Sequence, residues 1–190
     1  MTNSGIWNDA LGSNAMTVNT LGWSNMQSYW FNYTLQGLNF THTLTTATAQ
    51  AIVIVANFGY VPTITNKTLI SDSLNGGWYA SLRTTGQIRP AGLGSNAKTY
   101  LDGAWVQDTN SVGNITVPAG AYYNKWSVWI LNNLTLNNQR LNILGYQSDP
   151  NGGTYLGTKV ACIAIYTQPL SNPEIASVTT WAQARFATSG

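Results

Sequence analysis

Any bond-breaking chemistry in this 190-residue chain would fall first to its carboxylates: Asp9, Asp72, Asp102, Asp108, Asp149 and Glu174. Glycoside hydrolysis needs two such groups flanking one bond, about 5–5.5 Å apart for retention and about 6.5–9.5 Å for inversion. Acids that share a face sit two residues apart on a strand and four apart on a helix. None of the acids keeps either spacing with another. Asp102 and Asp108 approach each other only across a hairpin, and Asp102 itself reads as part of the turn. Glu174 follows Ser171 by three residues, the spacing of a helix cap. His42 is the one histidine and has no Gly-x-Ser-x-Gly elbow to serve, so it reads as a strand or loop side chain facing solvent. Gly92-Leu-Gly-Ser-Asn-Ala97 mimics a dinucleotide fingerprint but opens no amphipathic helix, and reads as a loop. Cys162 stands alone, so neither an intrachain disulfide nor a thiolate cluster forms; it reads as a small apolar group within a strand. No catalytic residue emerges, and a protein without enzymatic activity is expected.

The stronger signal is aromatic. Eight Trp and ten Tyr exceed the needs of one core, so some rings should reach the surface. Trp78 and Tyr79 are adjacent, which on a strand sends them to opposite faces. Trp105 lies two residues past a hairpin tip, and Tyr155 lies in a Gly-rich loop. A flat ring offers an apolar face to a sugar or to a protein partner, with Asn and Gln nearby for hydrogen bonds. These four residues are the candidate contact positions.

The elements that must hold them are short strands. Ala51–Asn57 is continuous and β-branched, as a strand buried on both faces should be. Trp78–Arg83 follows Asn75-Gly-Gly77, and Thr99–Val106 is a hairpin whose Asp102-Gly103 pair suits a type I′ turn. Trp126–Leu131 carries large apolar groups on both alternations, and Leu141–Gly145 and Val160–Tyr166 complete the set. One helix is expected after Ser171-Asn-Pro-Glu174, with Ile175, Val178, Ala182 and Phe186 on one stripe. Charged side chains make up only 7% of the chain and the net charge is +2, against a usual charged share of about 25%. No basic row exists to neutralise phosphates, which excludes nucleic acid as an expected partner. No apolar run approaches the roughly 18 residues of a membrane helix, and Met1–Trp7 has no secretory pattern. A single domain over 1–190 is expected, with residues 1–45 as either outer strands or an extended docking arm.

The C-terminal half resembles the concanavalin A-like lectin/glucanase superfamily in its laminin-G-like form. The likeness rests on Trp126-Ser-Val-Trp129, Leu141-Asn-Ile-Leu-Gly145 and Gly157-Thr-Lys-Val-Ala-Cys-Ile-Ala-Ile-Tyr166. After these come Gln168-Pro-Leu-Ser-Asn-Pro-Glu-Ile175 and a helix ending in Ala184-Arg185-Phe186. The resemblance implies an all-β fold: a two-sheet antiparallel jelly-roll sandwich with one short C-terminal α-helix. That scaffold hosts lectins, adhesion modules and hydrolases alike, so it does not fix an activity. Laminin-G-like domains often hold one calcium ion near the rim, for which Asp108 and Asp149 are the weak candidates here. An isolated Asp beside Asn or Pro serves an Asx-turn more readily, so no cofactor is expected.

An ion-poor surface studded with rings is cheap to desolvate, because buried ions are costly. The expectation is therefore a non-enzymatic surface protein of a bacteriophage virion, made in the host cytoplasm without a signal peptide. It would serve as a capsid decoration or as a tail-fibre or receptor-binding component. Its expected partners are capsid or tail proteins, further copies of itself and cell-surface glycan. The alternative is a stand-alone carbohydrate-binding lectin module.

Overall fold

The structure, a computed structural model, describes the backbone at residues 6–7, 16–18, 23–25, 30–32, 40–43, 48–58, 67–72, 78–82, 87–90, 96–108, 115–116, 124–137, 140–143 and 159–186. Side chains are described at 49–58, 96–106, 124–136 and 159–186. The strands in chain order are β1 (Ile6–Trp7), β2 (Met16–Val18), β3 (Trp23–Asn25), β4 (Trp30–Asn32), β5 (Phe40–Thr43), β6 (Thr48–Asn57), β7 (Lys67–Asp72) and β8 (Trp78–Leu82). They continue with β9 (Gln87–Pro90), β10 (Lys98–Leu101), β11 (Ala104–Asp108), β12 (Ile115–Thr116), β13 (Trp126–Asn137), β14 (Arg140–Ile143) and β15 (Lys159–Tyr166), and α1 (Asn172–Phe186) follows.

Among the described residues all pairings are antiparallel, in two sheets. One runs β1-β2-β5-β14-β7-β8-β9-β12 and the other β11-β10-β13-β6-β15-β4-β3. The described side chains lie in five strands of the second sheet, β11 to β15 in that order, and in α1. At its centre β6 pairs with β13 on one side and β15 on the other. Its residues from Ala51 to Asn57 are all buried, which explains the unbroken apolar run. Strand β13 is longer than its apolar stretch foretold. It continues past Leu131 to Asn137 with a register break after Asn132, where Asn133 takes a positive φ of 54°.

The two faces of this sheet are covered differently. Ala51, Val53 and Val55 of β6 and Val128 and Ile130 of β13 pack with Leu170, Ile175, Ala182 and Phe186, so α1 lies on this face. Burying each Val, Ile, Leu or Phe of this set contributes about 1.5–3 kcal/mol. On the opposite face Ile52, Ile54, Ala56, Trp129 and Leu131 are fully buried as well. There Trp129 donates its indole N–H to Ser127 Oγ at 3.1 Å, and Ser127 donates to the Ala56 carbonyl at 3.2 Å. This relay satisfies the polar tip of a buried ring.

The helix starts where its sequence foretold, with one difference in the cap. Glu174 accepts hydrogen bonds from both the backbone N–H (2.7 Å) and the hydroxyl (2.6 Å) of Ser171. The serine oxygen thus turns toward the carboxylate. The buried stripe also differs: Thr179 takes the inner position and Val178 is half-buried. Thr179 donates its hydroxyl to the Ile175 carbonyl at 2.8 Å, which makes a polar residue tolerable there.

Candidate docking site

The β10–β11 hairpin is the best-defined platform among the described residues. Asp102 and Gly103 adopt positive φ values of 50° and 80°, as a type I′ turn requires. The turn is pinned from two sides. Asp102 donates its N–H to the Val128 carbonyl at 2.9 Å, and its carboxylate accepts the Val128 N–H at 2.9 Å. Burial pushes the Asp102 carboxyl above its ordinary range. The Val128 hydrogen bond and the charge of Lys125 oppose that rise without cancelling it. Gly103 faces α1, and a Cβ there would stand 3.3 Å from Thr179 Oγ1. A side chain at this position would therefore strain both the turn and the helix contact.

Rising from this turn, Trp105 is 57% exposed on β11, the outermost strand of its sheet. It stands opposite Tyr100 in the ladder, and Lys98 Nζ lies 6.0 Å from its ring centroid. A cation at that distance is attracted by the ring's negative face, worth about 0.5–1 kcal/mol at exposed sites. Trp181 on α1 is 48% exposed and meets Phe186 edge-on, and Phe186 in turn leans against Trp126. Sequence reading missed Trp181 because the helix stripe drew attention to the buried residues only. Its place, six residues after Ile175, puts it roughly 240° around the helix from that stripe.

The side chains of the other expected contact residues lie outside the described residues. Trp78 and Tyr79 open β8 in the eight-stranded sheet, with side chains outside the described residues. Tyr155 and Asp149 lie outside them altogether. Asp108 ends β11 opposite Lys98 in register. Of the acids, Asp102 and Glu174 have described side chains, and both are committed to local structure. Among the described residues no three His, Cys, Asp or Glu side chains gather as a metal site would need. Burial raises the Cys162 thiol to about 11, so it is inert as a nucleophile at neutral pH. Burial, and then the charges of Cys162 and Glu174, also raise the Tyr166 phenol. No described helix is long and apolar enough to cross a membrane.

No protein-family model matches the chain, and no curated protein matches it in sequence. Solved structures of Trypanosoma rangeli sialidase do match in three dimensions. The sialidase with 2,3-difluorosialic acid as a covalent intermediate aligns at a TM-score of 0.62 and 14% identity, over 94% of this chain and 31% of the sialidase. The same enzyme in complex with sialic acid aligns at 0.60 and 15% identity, over 97% and 32%. Without ligand it aligns at 0.61 and 15%, over 94% and 31%. The chain thus spans about a third of the sialidases it matches. At this identity the likeness is one of fold, to chains that contain a lectin-like β-sandwich.

Proposed function

We propose that the chain is a non-enzymatic docking module, a surface component of a bacteriophage virion that binds through protein contact and glycan contact. The proposal includes the fold: a concanavalin A-like jelly roll in which the two sheets face each other. The helix covers one face of the seven-stranded sheet, yet Ile54 and Trp129 on the other face are equally dry. A second layer is needed there, and the eight-stranded sheet is the element that can supply it. The likeness to lectin-like sialidase chains supports the same architecture.

The observation that carries the functional reading is Trp105, an exposed ring on a hairpin fastened to both the sheet and the helix. Exposed apolar rings on rigid supports are cheap to bury against a partner, because little ordering entropy remains to be lost. Both described carboxylates serve a turn and a cap, which supports a role without catalysis. The proposed partners are capsid or tail proteins, further copies of the chain and cell-surface glycan, with no cofactor. A second reading, a lectin module acting alone, draws on the same ring and on the sialidase fold.

Trp105→Ala tests both readings. The variant should keep its melting temperature, since a surface truncation typically changes stability by less than about 0.5 kcal/mol. It should lose binding to assembled capsids or tails in a co-sedimentation assay, or to the glycans that the unaltered protein retains on an array. Unaltered protein that binds neither particles nor any glycan would overturn the proposal.

A further inference from the structure

Trp105 shares its surface with groups that only the strand register brings together. In the ladder Trp105 stands opposite Tyr100, Tyr100 opposite Ile130, and Ile130 opposite Val53. Side chains opposite one another share a face of the sheet, and Ile130 and Val53 pack with α1. Trp105 and Tyr100 therefore lie on the helix side, on the two strands beyond β13. Lys98 precedes Tyr100 by two residues and so shares that face. These three side chains form a shelf, with the Lys98 ammonium 6.0 Å from the Trp105 ring centroid.

The helix borders this shelf. Thr179 meets the Gly103 turn, and Ala176 and Asn172, three and seven residues before it, lie on the same flank. From the turn β11 runs back two residues, about 6–7 Å, to Trp105, and from Thr179 the helix runs back about 4.5 Å to Ala176. Both head the same way, because Leu170 is clasped to Asn132, which stands opposite Lys98. Ala176 is therefore level with Trp105, and Asn172 lies nearer Lys98; both helix residues are exposed. The alanine methyl takes little space above the rings, and the amide offers hydrogen bonds at the charged end. Of the acids with described side chains, Asp102 serves the Val128 N–H and Glu174 serves Ser171, so neither answers Lys98. Asp108 stands opposite Lys98 in register.

We propose that this shelf binds an acidic sugar unit of a glycan, its ring stacked on Trp105 beside Ala176 and its carboxylate meeting Lys98. A sugar ring packs on the indole at van der Waals distance, about 3.5–4.0 Å. The ammonium, 6.0 Å from the indole centre, then borders the rim of that same sugar, so one unit engages both groups. The pull of an exposed ring on a cation is weak and yields to a carboxylate, whose hydrogen bond is charge-assisted. A neutral sugar would leave the ammonium unanswered, and an acidic peptide would leave the flat ring poorly covered. A flat body with a charged rim answers both. The inference rests on the glycan part of the proposed function, whose class of glycan it names, and is independent of the virion part.

Calorimetric titration of the full-length chain with oligogalacturonate and with its methyl ester is the test, since the two share their rings and differ in charge. The unaltered protein should bind the acid roughly fivefold or more tighter than the ester, the worth of one exposed charge pair. Lys98→Met should bring the acid down to the ester's affinity and leave the ester unchanged, whereas Trp105→Ala should weaken both by about tenfold or more. Asp108→Asn should bind the acid at least as tightly, because a like charge is removed. Equal affinity for acid and ester, weaker binding of the acid by Asp108→Asn, or equally tight binding of oligoglutamate would each overturn the acidic-sugar assignment. If neither probe binds while neutral glycans are held on an array through Trp105, the assignment falls alone. If no glycan of any kind is held, the glycan part of the proposed function falls with it.

Discussion

At the residue scale, Asp102 does two jobs that pull in opposite directions. Its αL backbone and its acceptor oxygen hold the turn, while half-burial disfavours its charge. The ionised form is penalised in the fold, so the folded carboxyl titrates above its unfolded value. Between those two values the native state binds more protons, and stability falls as pH rises. Asp102→Asn keeps the acceptor and suits a type I′ turn without the charge. It should melt higher than the unaltered protein at pH 7, and the gap should close at a pH below both carboxyl values. Asp102→Ala loses the acceptor and should cost about 1–3 kcal/mol at either pH, measured by urea unfolding. Glu174 behaves the other way. Its two hydrogen bonds from Ser171 lower its pKa, so the cap holds above the unfolded value and loosens as pH falls through the folded one.

At the scale of elements, the C-terminal helix is attached by a side chain that no pattern announced. Asn132 is buried and makes reciprocal 2.8 Å bonds with the N–H and carbonyl of Leu170. Replacing it with Ala leaves both backbone groups buried without partners, at about 1–3 kcal/mol each. Asn132→Ala should therefore lose roughly 2–6 kcal/mol of stability, and hydrogen exchange at residues 170–175 should rise before that of β6. Much of the helix was legible in advance, because Ser171, Pro173 and Glu174 act locally and leave a local signature. The inner place of Thr179 was not, since it depends on Gly103, distant in sequence, leaving room for it. The Asp102-Gly103 turn was legible for the same local reason as the cap. The full length of β13 was not, because Asn132 and Asn133 read as turn residues until a partner strand continues beyond them.

At the scale of the whole molecule, β6 joins two environments. Val53 faces the helix and Ile54 faces away, and both are buried to within 1% of completely. If a second sheet covers the far face, Ile54→Ala should cost about 2–5 kcal/mol, as in other closed cores. A loss well under 1 kcal/mol in thermal or urea unfolding would mean that face is easily opened. The apolar run at Ala51–Asn57 disclosed burial on both sides but not which layer supplies each. The exposed Trp181 was legible from its spacing, six residues after Ile175 and so off the buried stripe, but the stripe itself drew the reading.

The clasp between Asn132 and Leu170 also fixes an order of events. Strands β6 and β13 leave the ribosome before α1, and among the described residues α1 roofs the helix-side surface of their sheet. Until α1 emerges, Val53, Val55, Val128 and Ile130 lack the cover that Ile175, Ala182 and Phe186 give them. Shelter of that face during synthesis, up to the point where α1 docks, would guard it against wrong contacts.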